Sequence, residues 1–192
     1  MAPRSRTCIA GLLLSAALPS FAQQPPNPAE LIAAQRAALA PLAYMDGVWR
    51  GPATTVLANG KQLAIIQTER IGPLLDGSVK VIEGRGYDAA GKTVFNALGI
   101  VSFDLASKRY TLHSYAMGRS GDFAITPTAT GYAWEIPAGP ATIRYTVDIK
   151  DGIWHEIGER LTPDKPAARF FEMTLKRVGD TQWPAGGTIA PK

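Results

Sequence analysis

From Gly47 to Val178 the chain alternates apolar and polar residues with a period of two, and turn-forming residues break that pattern at short intervals. Ile143, Tyr145, Val147 and Ile149, for example, alternate with Thr142, Arg144, Thr146 and Asp148, which describes a strand with one face buried. Turn signals stand at Asn59-Gly60, Asp76-Gly77, Asp88 to Gly91, Pro137 to Pro140, Asp151-Gly152 and Thr162 to Lys165. They divide the region into ten expected strands: 47–57, 61–72, 78–87, 93–104, 108–117, 120–126, 131–136, 141–149, 153–161 and 169–178. No helical stretch lies between them, which argues against a parallel α/β sheet. A meander this long removes its exposed edges most simply by closing on itself, so the expectation is an antiparallel β-barrel.

The segments on either side read differently. Arg4 and Arg6, the apolar run Cys8–Leu18, Pro19 and the small residues around Ala22 form a secretory leader, with cleavage expected after Ala22. The run is shorter than the roughly 20 residues a spanning helix needs, so no stable membrane insertion is expected. The formal charge falls from +4 to +2 without the leader, because two arginines leave and no acid does. No basic run survives to serve a nucleic acid. The single cysteine leaves too, so neither a disulfide nor a thiolate metal site is available. The domain plan is therefore a leader (1–22), a linker (23–28), one barrel domain (29–178) and a tail (179–192), with a periplasmic or secreted address. Asn27-Pro28-Ala29-Glu30 offers a helix cap, a first-turn proline and an acid beside exposed amides. The helix that follows to about Leu39 either closes one end of the barrel or packs on its outside.

The expected first strand opens with Gly47-Val48-Trp49-Arg50-Gly51, and glycine is a costly choice inside a strand. This Gly-x-Trp-x-Gly after an N-terminal helix resembles the signature of lipocalins and other calycin barrels. In those barrels the tryptophan plugs the closed end and the glycines let the strand bend around it. The stretches "IEGRGYDAAGKTVFNALGIVSFDLASKRYTLHSYAMGRSGDF" and "YTVDIKDGIWHEIGERL…FFEMTLKRV" resemble an exported bacterial lipocalin-like family, domain of unknown function 1579, over about residues 40–178. The resemblance implies an all-β, lipocalin-like barrel of about ten strands with a short N-terminal helix. It implies no activity. The chain is distantly similar to nitrobindins, which carry haem on a histidine near the chain's end. No histidine stands in the corresponding strand here, Arg169–Val178, so no cofactor is assigned.

Catalytic patterns are absent. Gly84-Arg85-Gly86 opens no helix and cradles no phosphate, and Gly118-Arg119-Ser120-Gly121 lacks the spacing of a nucleophile elbow. Two histidines at unrelated positions make no metal motif. What stands out is charge on faces that otherwise look buried: Leu63, Ile65, Gln67, Glu69 and Ile71; Val79, Val81, Glu83, Arg85 and Tyr87; Ile153, His155, Ile157, Glu159 and Leu161. If the apolar members mark the lumen, then Glu69, Glu83, Arg85, His155 and Glu159 form a charged anchor in an apolar cup. Arg85 would then be paired inside it. Alternatively the charges reach solvent at the mouth. With His113 and Tyr115 added, these residues are the candidate contacts for a small, partly apolar ligand. No catalytic or metal-binding residue is assigned, and the oligomeric state is left open. The rival readings are an enzyme using inward Glu and His for proton transfer, and a haem carrier.

Overall fold

The computed structural model describes residues 27–57, 59–187 and 189, so the expected leader and most of the linker lie outside the described residues. The described residues form helix α1 (Pro28–Leu39), two 3-10 turns (Ala40–Met45 and Ala185–Gly187) and ten strands. These are β1 (Gly47–Val56), β2 (Gln62–Leu74), β3 (Val79–Tyr87), β4 (Thr93–Asp104), β5 (Arg109–Ala116), β6 (Arg119–Pro127), β7 (Gly131–Ala138), β8 (Ala141–Lys150), β9 (Ile153–Leu161) and β10 (Ala168–Gly179). Every strand starts and ends within two residues of its expected bounds. Each pairs antiparallel with its sequence neighbours, and β1 pairs with β10, so the meander closes as a ten-stranded barrel.

The helix begins as its sequence dictates, with the Asn27 side chain accepting a hydrogen bond from the Ala29 amide at 3.0 Å. Its faces stay largely exposed, and among its residues only Leu39 is buried. The closure of the barrel end is instead the work of the first 3-10 turn. Leu42 and Met45 are 2 % and 1 % exposed and join Leu39, Trp49, Ile71 and Val101 in the core. Hydrogen bonds in both directions tie this cap down. From the barrel, Trp49 Nε1 donates to the Met45 carbonyl at 2.8 Å and Tyr110 Oη to the Ala38 carbonyl at 2.6 Å; from the cap, Tyr44 Oη donates to the Gly131 carbonyl at 3.1 Å.

This arrangement explains the two glycines around Trp49. Gly47 has φ +130°, a conformation that side-chain-bearing residues rarely adopt, and it turns the chain from the cap into β1. Gly51 lies against the Thr174 backbone of β10, so a Cβ there would collide with main chain. Between them the β1–β10 ladder slips at Val48/Trp49, and the tryptophan swings into the closed end at 1 % exposure. The described part of the expected tail folds back on β2. Arg70 covers the Trp183 ring at 4.4 Å, and the Trp183 carbonyl lies over Gly72.

Candidate functional site

Register fixes which side chains share the lumen. Trp49 pairs with Glu69 on β2, Glu69 with Gly84 on β3, and Gly84 with Ala97 on β4. Across the other seam Ala53 pairs with Met173, Met173 with Glu156, and Glu156 with Val147. The inner face therefore carries Gln67, Glu69, Ile71, Ile82, Val101, Leu112, Ile125, Tyr132, Val147, Trp154, Glu156, Met173 and Leu175.

Just above the Trp49 plug this lining becomes polar. Glu69 and Glu156 are buried, at 8 % and 9 % exposure, together with Gln67 at 3 %. Gln67 Nε2 donates to Glu69 Oε1 at 2.7 Å. The inward glycines of β3 make room for these long side chains. A Cβ on Gly84 would lie 2.8 Å from Glu69 Oε1, and one on Gly86 would lie 3.0 Å from Gln67 Oε1. Burial raises the Glu69 carboxyl to about 8; the Gln67 bond pulls it back, and the charges of Glu156 and Glu83 push it up further. Burial likewise raises Glu156 to about 7, and the nearby indole N–H of Trp154 lowers it somewhat. That N–H does not reach hydrogen-bond geometry, and Trp154 Nε1 is a buried donor without a partner among the described residues. Tyrosines also stand beside the floor. Burial holds the Tyr132 hydroxyl well above its ordinary range and pushes Tyr145 up to about 12.

Aromatic rings form the floor and the walls. Trp49 meets Trp154 edge-on at 5.7 Å, and Tyr132 meets Trp154 at 6.5 Å. Higher up, Trp134 stacks on Tyr145 at 4.5 Å, and Phe123, Phe170 and Phe171 lie around that pair. Toward the mouth the inward residues Ile65, Phe95, Phe123, Trp134, Ile143, Tyr145 and Phe171 are only half-buried, so solvent reaches this end of the barrel. One seam is short: the β6–β7 ladder runs only from Ile125↔Trp134 to Pro127↔Tyr132, and the strands part toward the mouth. A cleft of about 140 Å³ lined by Ala124, Thr126, Ala133, Trp134 and Glu135 lies at this seam.

Of the seven expected contacts, only Glu69 faces the lumen. Glu83 and Arg85 sit on the outer face of β3, with Arg85 Nη2 donating to Glu83 Oε1 at 2.6 Å and Arg70 Nε to Glu83 Oε2 at 3.0 Å. The expected pairing of Arg85 with an acid thus occurs on the wrong side of the sheet. Partial burial would raise the Glu83 carboxyl, but hydrogen bonds from Arg85 and Arg70 outweigh it and hold it below its usual range. His155 lies outside and meets Glu172 Oε1 at 3.1 Å, and Glu159 lies outside between Arg144 and Arg169 in the ladder. Tyr115 is exposed and lines an outer groove of about 560 Å³ with Asn96, Leu98 and the Ala116–Ser120 hairpin. His113 is outside as well. Its Nε2 lies 3.1 Å from Ser102 Oγ, and its Nδ1 lies 2.8 Å from Asp122 Oδ1. That is the order of a nucleophilic triad, but it crosses an open sheet face whose paired backbone amides are committed to the ladder, leaving no ready oxyanion hole. With both described histidines outside, an iron in the lumen would meet no imidazole.

On β3 and β9 the expectation failed because apolar residues also stand on their outward faces. Val81 is 5 % exposed yet faces outward, buried beside Gly72 where Trp183 crosses the barrel. On β9 the outward face, with Ile153, Ile157 and Leu161, is more apolar than the inward one, with Trp154, Glu156, Gly158 and Arg160. Sequence reasoning missed Glu156, Trp154 and Tyr132. The signal that could have found them is glycine: Gly84, Gly86 and Gly158 mark the inner face, because neighbouring side chains lie across them.

A closed, ten-stranded antiparallel barrel with a helical cap over one end defines a calycin-like fold, an architecture compatible with holding a small molecule in its lumen. The crystal structure of Rv2717c from M. tuberculosis is similar, with a TM-score of 0.58 and 12 % identity, over 73 % of this chain and 96 % of that one. At that identity the likeness is one of fold. No protein-family model matches the chain, and no curated protein matches it by sequence.

Proposed function

We propose that this is an exported lipocalin-like protein, akin to the domain of unknown function 1579 family, that binds a small, partly apolar molecule in its barrel. The observation that carries the reading is the lumen floor. Two carboxyls and an unpartnered indole N–H are buried there beneath half-buried aromatic walls. A chain selected only for stability gains nothing from burying such groups, whereas a binding site needs a few oriented polar groups in an apolar wall. The export half of the proposal rests on the leader. N-terminal sequencing of the exported protein should begin at Gln23, and an intact Met1 on membranes would refute it.

Native mass spectrometry of protein recovered from the periplasm tests the binding half. A small molecule should accompany the parent chain and be lost or weakened in Glu156→Gln. A parent that arrives empty, and whose tryptophan emission no periplasmic extract alters, would overturn the reading. The raised carboxyls also favour a second reading, proton transfer by Glu69 and Glu156 on a bound substrate. That reading requires turnover that disappears in Glu156→Gln while binding survives.

A further inference from the structure

The floor supplies its two acids with dipoles but with no positive charge. Gln67 donates to Glu69, and the Trp154 indole N–H lies beside Glu156. Both donors favour an ionised carboxyl. Yet neither acid has an ion-pair partner among the described residues, and the basic side chains at inward register positions are engaged elsewhere. Lys80 pairs with Asp46 at the closed end, and Arg177 holds the Asp46 carbonyl and Asp180. Arg119 and Arg160 are exposed at the rim. Without a cation, the two carboxyls avoid a buried charge only by keeping protons. The walls suit the missing group. Trp49, Trp154 and Tyr132 set three aromatic rings around the floor, and these neutral walls bring no positive charge that would repel a cation. A carboxylate or phosphate ligand would instead bring a third anion to a site without a base.

We infer that the lumen floor recognises a small organic cation, a primary amine or amidine, whose N–H groups bond to Glu69 and Glu156. Its apolar remainder lies along Trp134, Tyr145 and Phe171. This inference rests on the lumen being the ligand site, and it adds the sign of the ligand's charge. The trapped proton leaves as the cation enters, so binding is a proton-for-cation exchange in which no covalent bond to carbon changes. Tyr132 and Tyr145 beside the floor stay neutral throughout, and Glu83, whose charge reaches Glu69 from the outer face, stays paired with Arg70 and Arg85.

Three probes sharing a phenyl ring separate the possibilities on the full exported chain: 2-phenylethylamine, neutral 2-phenylethanol and anionic 3-phenylpropionate. Each is titrated near neutral pH by tryptophan emission and calorimetry. The amine should bind roughly ten-fold tighter or better than the alcohol, a difference of about 1.4 kcal/mol, and 3-phenylpropionate should bind weakest. Calorimetry in buffers of different ionisation enthalpy should register proton release with the amine alone. In Glu69→Gln/Glu156→Gln the amine should lose its advantage over the alcohol, and either single variant serves if the double variant does not fold. If the alcohol or the anion binds as well as the amine, charge selection is wrong while the lumen stands as the ligand site. An amine preference that survives both substitutions places the site elsewhere and overturns the inference. So does the absence of binding by all three probes, and mass spectrometry of the periplasmic protein then decides separately whether the lumen holds anything.

Discussion

On the outer face Glu83 is gripped by Arg70 and Arg85, and His113 is held between Ser102 and Asp122. On the lumen floor Glu69 and Glu156 have one amide and one ill-placed indole between them. The outer charges are exposed enough to be solvated and are paired as well; the inner ones are neither. Solvent screening makes the outer pairs cheap to form and of little consequence for stability. Desolvation makes the inner carboxyls expensive, and that expense goes unrelieved by the protein itself. Number of ion pairs therefore does not mark the proposed site in this barrel. The proposed site is the place where pairing fails while burial is nearly complete.

The contrast can be broken most forcefully at the plug. Trp49 is 1 % exposed and is bonded to the cap at Met45, and it meets Trp154 beneath the acidic floor. Trp49→Ala should cost roughly 3–5 kcal/mol in denaturant unfolding, the usual range for removing a buried aromatic ring. A loss under about 1 kcal/mol would mean that the closed end is not closed, and the floor above it would lose its burial.

The next effect is on pH dependence. Folded carboxyls at about 8 and about 7, against an ordinary 4.5, mean that the folded chain keeps protons which the unfolded chain releases. Stability should therefore fall as pH rises from about 4.5, by up to about 1.4 kcal/mol per pH unit for each group, and level off above pH 8. Glu83 works in the opposite direction: its lowered carboxyl contributes stability that is lost as pH falls. Thermal unfolding should show a maximum on the mildly acidic side of neutrality. In Glu69→Gln/Glu156→Gln the alkaline decline should flatten. A parent profile that rises steadily to pH 9 would show that the two acids are ionised and paired after all.

Glu83→Gln probes the outer half of the contrast. It weakens hydrogen bonds to two exposed arginines, and a loss of about 0.5–1 kcal/mol is expected, in line with other exposed ion pairs. High salt should erase most of it, because exposed charges are screened. A salt-insensitive loss several times larger would place Glu83 among the buried acids.

The barrel was legible in the sequence because alternation and turn chemistry are local. Asn59-Gly60 and Asp151-Gly152 turn the chain where they stand, and the strand pattern follows from its neighbours. Trp49 was legible as well, since Gly47 and Gly51 answer to backbone demands that no other residue meets. The lumen was only partly legible because facing is a global property. On β2 the apolar residues Ile65 and Ile71 share a face with Glu69, and parity gave the right side. On β3 the face of Val79 and Val81 is apolar because a segment about a hundred residues later, around Trp183, crosses over it, and nothing local to β3 encodes that crossing.

Arg85 carries the smallest expected effect and the sharpest test of this account. Parity with Val79 and Val81 would put its guanidinium in the lumen, and its removal would then strand a buried carboxylate. In the folded chain it is instead 48 % exposed at the side chain and leans on Glu83, two residues earlier on the same outer face. Glu83 keeps Arg70 as a second partner when Arg85 is lost, so no charge is left alone. The glycines on either side, Gly84 and Gly86, face the opposite way and lie under Glu69 and Gln67, so they do not bring Arg85 closer to the floor. Arg85→Met should therefore leave the unfolding midpoint, its pH profile and amine binding unchanged within experimental scatter. A clear fall in stability together with weaker amine binding would return Arg85 to the lumen, supply the missing base for Glu69 and Glu156, and remove the reason for expecting a cationic ligand.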